Sequence, residues 1–270
     1  MTRWLYFAYA LACYGLFNVT ALALCAFTGD FLIPKTIDSP ATGVAPWTAA
    51  AINVALLLAF GVQHSVMARP AFKRAWTRLV PQPIERSTYL LASCAALALV
   101  MWLWQPLPAV IWHVESSAGR TALWTLFAAG WLMVPAVSYM INHFDLFGLR
   151  QAWLHLQGRE NTPLPFRTPY LYAYIRHPIY VGWTLAFWAT PTMTLGHLLF
   201  AGVLTAYMAL AAIVEERDLV AHFGSVYEEY RRTVPRYLPR LGRLGRLGQL
   251  GEAGPGASAA EAAAPSPSQA

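Results

Sequence analysis

The stretch IYVGWTLAFWATPTMTLGHLLFAGVLTAYMALAAIV, residues 179–214, contains no Asp, Glu, Lys or Arg. As one helix, at about 1.5 Å per residue, it would measure more than about 50 Å, whereas the hydrocarbon core of a bilayer is about 30 Å thick. Pro191 and Gly196 lie near its middle, and both residue types interrupt or kink helices. The stretch therefore predicts either one strongly tilted crossing or a helical hairpin that bends between Pro191 and Gly196.

Four further apolar runs precede this stretch, at Trp4–Phe27, Trp47–Val66, Thr88–Trp104 and Thr121–Ile141. Each is close to the roughly 20 residues that a helix needs to cross a bilayer. The chain is 57% hydrophobic and only 12% charged, against about 25% charged residues in ordinary soluble domains. The sequence therefore predicts a protein embedded in a membrane.

Lys and Arg concentrate in the second loop, in the fourth loop and after Glu215, whereas the loops around Lys35 and Arg120 are poor in them. Because cytoplasmic loops carry an excess of Lys and Arg, the amino terminus, these two loops and the tail are predicted to face the cytoplasm. The last stretch must then enter the membrane and return, which selects the hairpin. We predict an all-α integral membrane protein of the cell (inner) membrane, with four transmembrane helices plus a C-terminal hairpin, hence five or six crossings.

Several classes of protein are disfavoured by the same composition. The net charge of +6 is divided among loops rather than gathered on a separate domain, so the expected partner is the lipid bilayer and not a nucleic acid. The three cysteines lie inside apolar runs and the seven histidines are scattered, so no metal site is expected. No GxGxxG follows a strand-like run, which argues against a Rossmann domain. The oligomeric state stays open.

Polar side chains at membrane depth are costly and usually functional, and in this chain they collect at the predicted cytoplasmic face. They end the second span, follow the fourth span, and open and close the hairpin: Gln63, His64, Ser65, Asn142, His143, Asp145, Arg176, His177, Tyr180, Glu215, Glu216 and Asp218. A hairpin returns the chain to its starting depth. Two arms of comparable length are expected to place His177 and Tyr180 opposite Glu215 and Glu216.

The entrance of the hairpin has features that suit an amino-acid ligand. Pro178 fits the first turn of a helix, where its missing N–H costs nothing. The first-turn amides can receive a carboxylate, and the glutamates opposite can receive an ammonium group or ribose hydroxyls. S-adenosylmethionine carries all of these groups. Structural alternatives stay open for single residues, because His177 also suits a helix cap, Tyr180 an interfacial anchor, and the glutamates ion pairs with nearby arginines.

The fourth loop, Asn142–Pro178, is longer than most connections between spans, and such loops usually have a function. Leu146, Leu149, Trp153 and Leu156 recur in it at helical spacing, which predicts a short amphipathic helix in the interface or an ordinary connector. We predict one multi-span domain over residues 1–240, with the cofactor-binding part at 142–240. Residues 241–270 are predicted to form a disordered low-complexity tail.

Two motifs at the ends of the hairpin carry a resemblance to a known superfamily. RHPIYVGW at 176–183 and EERDLVAHFGSVYEEYRRTVP at 215–235 resemble the isoprenylcysteine carboxyl methyltransferase and phospholipid methyltransferase superfamily. Further stretches resemble the bacterial membrane-bound methanethiol S-methyltransferases, which are related to the NnrU proteins: IPKTIDS at 33–39, QHSVMARPAFKR at 63–74, PIERSTY at 83–89, INHFDLFGLRQ at 141–151 and TPLPFRTP at 162–169. This resemblance implies the methylation of methanethiol to dimethyl sulfide.

The resemblance also implies which residues bind S-adenosylmethionine. By similarity to the carboxyl methyltransferase pattern they are Gln157, Leu164, Pro165, Phe166, Arg167, Tyr172, His177, Pro178, Ile179, Tyr180 and Glu215, with Glu216 adjacent. The fourth loop would then form a lid that shields the cofactor from water. Ala211 stands where that family has an arginine for its substrate carboxylate, which disfavours a prenylcysteine and suits a small, uncharged, volatile thiol.

A thiol is a weak nucleophile until it loses its proton, so a proton acceptor is expected in the site. The candidate catalytic residues are His143 with Asp145, and His64. The alternative is that His143 and Asp145 only pair at a helix end. Two other functions also stay open: a lipid or isoprenylcysteine methyltransferase, and a non-catalytic NnrU-like membrane protein that would not bind S-adenosylmethionine.

Overall fold

The computed structural model describes residues 2–162 and 164–240, and helices dominate this part of the chain. Its helices and strands are, in order, α1 (Thr2–Gly29), α2 (Pro46–Ala68), α3 (Pro70–Trp76), α4 (Glu85–Leu103), β1 (Val110–His113), α5 (Ser117–Ile141), α6 (His143–Leu146), α7 (Leu149–Leu156), α8 (Pro178–Trp188), β2 (Thr192–Thr194), α9 (Leu195–Phe223) and α10 (Ser225–Thr233). Short 3-10 turns at Gln82–Ile84 and Tyr170–Ala173 precede α4 and α8.

Within the described residues, five helices are long and apolar enough to cross a membrane: α1, α2, α4 with its preceding turn, α5 and α9. They contain or closely match the predicted spans. Large apolar side chains such as Leu22, Trp102, Leu132 and Leu210 project outward with 65% or more of their surface exposed. An outer surface of this kind is stable in lipid rather than in water. The prediction of an all-α, multi-pass membrane protein is confirmed.

The terminal hairpin has unequal arms, so the expectation of two helices of comparable length is wrong. The first arm is α8, an 11-residue helix, followed by an extended segment, and the second is the 29-residue α9. The helix ends before Pro191, and residues 192–194 form β2, which pairs antiparallel with β1. Since hydrogen bonds to β1 satisfy this backbone, the chain can leave the helical conformation before it turns. These two strands are the only sheet in the described part of the chain, and no Rossmann-like sheet occurs there.

The short helix α8 packs closely against α5 through two glycines. A Cβ atom built on Gly130 would lie 2.5 Å from the backbone nitrogen of Ala186, and one built on Gly182 would lie 3.3 Å from the carbonyl oxygen of Gly130. Small residues at such a crossing let two membrane helices approach until their backbones touch. The contact fixes where α8 begins, and therefore where His177 and Tyr180 lie.

The fourth loop is folded and is attached to the amino-terminal helix. Its amphipathic segment forms α7, as the leucine spacing predicts, with Leu149, Ala152 and Leu154 buried. Phe7 of α1 contacts the ring of Trp153, with ring centroids 5.3 Å apart. The loop therefore covers the end of α1. The predicted low-complexity tail, residues 241–270, lies outside the described residues.

Candidate active site

The entrance of α8 and the end of α9 meet at one end of the helical bundle. The hydroxyl of Tyr180 donates a hydrogen bond of 2.9 Å to Oε2 of Glu215, across 35 positions of sequence. The imidazole of His177 stacks on the Tyr180 ring, with centroids 5.1 Å apart and an interplanar angle of 11°. The hairpin thus brings three of the sequence-predicted residues into one group.

Glu216 is buried and its carboxylate is fully engaged by three basic side chains. Its Oε1 accepts hydrogen bonds from Nε of Arg176 at 2.9 Å and Nε of Arg236 at 3.0 Å, and it lies 3.0 Å from Nε2 of His177. Its Oε2 accepts a further bond of 2.8 Å from Arg236. A carboxylate with these partners holds the end of α9 to the start of α8, and it has little capacity left for a ligand.

The carboxylate of the adjacent Glu215, unlike that of Glu216, is partly exposed and only partly hydrogen-bonded. Its side chain is 44% exposed, and its Oε2 accepts the bond from Tyr180. Among the described residues, no side chain donates a hydrogen bond to its Oε1. Glu215 therefore offers a carboxylate oxygen that an ammonium group or a hydroxyl of a ligand can use.

The amino terminus of α8 has less capacity for an anion than the sequence indicates. Pro178 has no N–H, and the amides of Tyr180 and Val181 both donate to the carbonyl oxygen of His177. Of the first three residues of the helix, only Ile179 retains an amide outside these bonds. A carboxylate at this position would need further donors from elsewhere in the site.

A segment after α10 supplies part of the site that the sequence did not reveal. Residues 234–237, which we call the C-terminal clamp, run beside the entrance of α8. The amide of Arg176 donates to the carbonyl of Pro235 at 3.0 Å, and the amide of His177 donates to the carbonyl of Arg236 at 3.1 Å. Tyr237 is thereby placed beside His177, with ring centroids 6.0 Å apart. No periodicity in the sequence marks these residues.

The fourth loop contributes an aromatic group to the same end of the bundle. Phe166 packs against Phe223, Tyr227 and Tyr230, and the hydroxyl of Tyr230 donates to the carbonyl of Tyr172 at 2.6 Å. Burial raises the pKa of the Tyr172 phenol, and the nearby carboxylate of Glu215 raises it further. Tyr172 thus lies near Glu215, and Phe166 packs on Tyr230, whose hydroxyl is bonded to Tyr172.

The remaining loop residues are less closely tied to this group. Leu164 is half-buried, Pro165 and Arg167 are exposed, and Ile179 is half-buried on α8. Gln157 lies at the end of α7, where Oε1 accepts a long hydrogen bond of 3.5 Å from Arg159. Within the described ranges, no hydrogen bond joins Gln157 or Arg167 to His177, Tyr180 or Glu215.

His143 and Asp145 have separate partners. The two ring nitrogens of His143 lie 2.7 Å from the Tyr14 hydroxyl and 2.7 Å from the Ser138 hydroxyl. Burial lowers the pKa of this imidazole, which favours the neutral ring. Asp145 instead forms ion pairs of 2.9 Å with Arg86 and 3.2 Å with Arg150. The structure does not bring this histidine and this aspartate together as a pair.

His64 lies next to two hydroxyl groups of α4. Its Nε2 lies 2.9 Å from the Tyr89 hydroxyl and its Nδ1 lies 3.1 Å from the Ser93 hydroxyl. The next residue, Ser65, hydrogen-bonds the hydroxyl of Tyr207 at 3.0 Å. Tyr207 and Tyr180 pack against the same hydrophobic cluster. The residue after His64 thus links the end of α2 to α9, the helix that carries Glu215.

Comparison with known proteins assigns the chain to a family. A methanethiol S-methyltransferase of Mycobacterium tuberculosis is 49% identical over 239 residues, which are 88% of this chain and 98% of that protein. A methanethiol S-methyltransferase of Crocosphaera subtropica is 48% identical over 242 residues, 90% of this chain and 94% of that protein. The chain belongs to the methanethiol S-methyltransferase family. The family resemblance read from the sequence motifs is confirmed.

The match to the methanethiol S-methyltransferase family extends well beyond the two hairpin motifs. It covers most of the chain, so the spans that carry His64 and the fourth loop fall largely within it. Human Nurim is a more distant relative, 34% identical over 178 residues that make up 62% of this chain and 66% of that protein. No family model and no solved structure matches the chain.

Proposed function

We propose that this member of the methanethiol S-methyltransferase family transfers a methyl group from S-adenosylmethionine to methanethiol and forms dimethyl sulfide. The observation that carries the proposal is the Tyr180–Glu215 pair. Its partly exposed carboxylate lies next to Glu216, which is buried and forms ion pairs with Arg176 and Arg236. The names of the relatives support the acceptor and the reaction type. The proposal takes the cytoplasm as the side of the site, since Arg69, which pairs with Asp218 of α9, and Arg176, which pairs with Glu216, lie at this end.

The residues present fit a methyl donor with an amino-acid end and a ribose. Oε1 of Glu215 can accept a hydrogen bond from an ammonium group or a hydroxyl of the ligand, and the amide of Ile179 can donate one. Phe166 and Tyr172 offer aromatic surface for an adenine ring. When bound, the donor supplies an electrophilic methyl group on a sulfonium. Glu216 acts indirectly, because its ion pairs hold His177 and the clamp in place.

The protein's main contribution to the rate would be to position the thiol. Methyl transfer is an in-line displacement, and well-oriented reactions gain about 7–11 kcal/mol from this effect alone. The thiol must also lose a proton. His64 is the proposed acceptor, because the adjacent Ser65 hydrogen-bonds Tyr207 of α9, the helix that carries Glu215, whereas His143 is bonded to Tyr14 of α1 and Ser138 of α5. Tyr89 and Ser93 would orient the His64 ring for this step.

The surroundings of Glu215 suit a small neutral acceptor. Ala211 lies one helical turn before Glu215, so it shares a face of α9 with it and offers no positive charge to a substrate carboxylate. The neighbouring positions of the bundle are aromatic, including Phe60, Tyr180 and Tyr207. This argues against the alternative of a prenylcysteine carboxyl methyltransferase.

The test is headspace analysis of membranes that contain the protein and are supplied with S-adenosylmethionine and methanethiol. We expect dimethyl sulfide from membranes with the wild-type protein and a large loss with Glu215→Gln, at equal protein level. Phospholipid and prenylcysteine acceptors in parallel reactions test the lipid alternative. Wild-type membranes that bind S-adenosylhomocysteine but yield no dimethyl sulfide would overturn the acceptor. A protein that binds no S-adenosylhomocysteine would favour the non-catalytic alternative.

A further inference from the structure

The hydroxyl of Tyr237 is buried and, among the described residues, has no hydrogen-bond partner. This is unusual, because a buried polar group without a partner carries its desolvation penalty uncompensated. Two other phenols at this end have partners: Tyr180 donates to Glu215, and Tyr230 donates to the carbonyl of Tyr172. Six other buried polar atoms of the described residues also lack a partner, but Tyr237 lies beside His177, so a ligand of this site can satisfy its hydroxyl.

Tyr237 is held firmly where it lies. The hydrogen bond from the His177 amide to the Arg236 carbonyl fixes the preceding residue, and the Arg236 guanidinium is paired with the buried carboxylate of Glu216. Both contacts hold residue 236, immediately before Tyr237. The Tyr237 ring is then constrained beside His177, which itself stacks on Tyr180. The hydroxyl is thus preorganised rather than free to seek a partner.

The electrostatic surroundings keep this phenol protonated. Burial raises the pKa of Tyr237; Arg236 opposes the rise, and the carboxylates of Glu216 and Glu215 add to it. At physiological pH the group is therefore a neutral hydroxyl that can donate one hydrogen bond and accept others. Tyr237 packs beside His177, whose Nδ1 lies 3.7 Å from Oε2 of Glu215. The site thus contains a hydroxyl donor and a carboxylate acceptor, a combination that complements a ligand with both acceptor and donor groups.

We propose that the Tyr237 hydroxyl is a binding contact for the methyl donor, donating a hydrogen bond to an oxygen of its amino-acid or ribose portion. Tyr237 would supply the donor that the start of α8 lacks, since only the Ile179 amide remains there. The inference rests on the proposed function, because it assigns a further residue to the same site. In the absence of ligand the hydroxyl makes no hydrogen bond that would stabilise the fold.

The test compares Tyr237→Phe with Tyr230→Phe in the purified full-length protein. Titration with S-adenosylhomocysteine should show about 10-fold weaker binding for Tyr237→Phe, the size expected for one lost hydrogen bond with its partner left unpaired. The melting temperature of the ligand-free Tyr237→Phe protein should not fall, because no bond is lost. Tyr230→Phe, which removes a hydrogen bond present without ligand, should lower it.

Each result decides the matter. Unchanged affinity in Tyr237→Phe would overturn the proposal, and so would weaker binding accompanied by a fall in melting temperature like that of Tyr230→Phe, which would indicate a structural role. Failure of the wild-type protein to bind S-adenosylhomocysteine would instead refute the proposed function itself. Binding by the wild type and equally by Tyr237→Phe would refute only the role of Tyr237.

Discussion

Replacement by glutamine should have different effects at the two adjacent glutamates of α9. It should lower the stability of the protein at Glu216 and the affinity for the ligand at Glu215. Glu216→Gln removes the negative charge that compensates Arg176, whose side chain is 9% exposed, and replaces the carboxylate that lies 3.0 Å from Nε2 of His177 by an amide. Breaking a buried ion pair costs about 3–5 kcal/mol in free energy of unfolding. The Arg236 side chain is 34% exposed and can be solvated, so we expect the lower end of that range. The melting temperature should fall by roughly 10 °C.

Glu215→Gln is the matched control at the neighbouring position. The amide oxygen of glutamine can still accept the bond from Tyr180, so the free energy of unfolding should change by about 1 kcal/mol or less. The affinity for S-adenosylhomocysteine should fall strongly, because the carboxylate is lost. Thermal unfolding in detergent and calorimetric titration measure the two quantities. Equal melting temperatures for the two variants would refute the division of roles between Glu215 and Glu216.

Three further predictions follow from the packing and the titrating groups. Gly130→Ala should lower the free energy of unfolding by about 1–3 kcal/mol through overpacking against α8, and Gly202→Ala, with open space around its Cβ, should not lower it; thermal melts compare the two. His64→Gln should reduce kcat for methyl transfer more at neutral than at high pH, because the thiol ionises unaided at high pH. A uniform reduction of kcat across the pH–rate profile would exclude His64 as the proton acceptor. His143→Ala should give such a uniform reduction. Burial raises the pKa of Tyr227 to about 12 in the folded protein, so its contribution to stability is complete below about pH 10 and lost as the pH rises through 12. Between these pH values the melting temperature of Tyr227→Phe should therefore decline less steeply than that of the wild type. Parallel plots of melting temperature against pH would contradict this.

The membrane spans could be predicted from the sequence because the requirement is local. A crossing helix needs a certain length and a continuous apolar run, and the four runs before the hairpin have both. The hairpin itself followed from the length of residues 179–214 and from the charge of the loops. The different lengths of its two helices could not be predicted, because they depend on the pairing of β2 with β1, about 80 residues earlier in the chain.

The roles within the site were only partly accessible from sequence. The proximity of Tyr180 to Glu215 follows from any hairpin that returns to its starting depth. The separation of His143 from Asp145 does not, because each residue selects its partners from distant helices, Tyr14 for one and Arg86 for the other. Tyr237 has no local signature, since the backbone bond between His177 and Arg236 is what places it in the site.

The sequence by itself determined that this is a multi-pass membrane protein with its polar residues at one end, since hydropathy and charge act on each segment independently of the others. Only the tertiary structure decided which of those polar residues hold the fold and which face a ligand. Glu215 and Glu216 are the clearest case. One step along a helix rotates the side chain by about 100°, so one carboxylate turns to Arg176 and Arg236 and the other to the partly exposed side of the site.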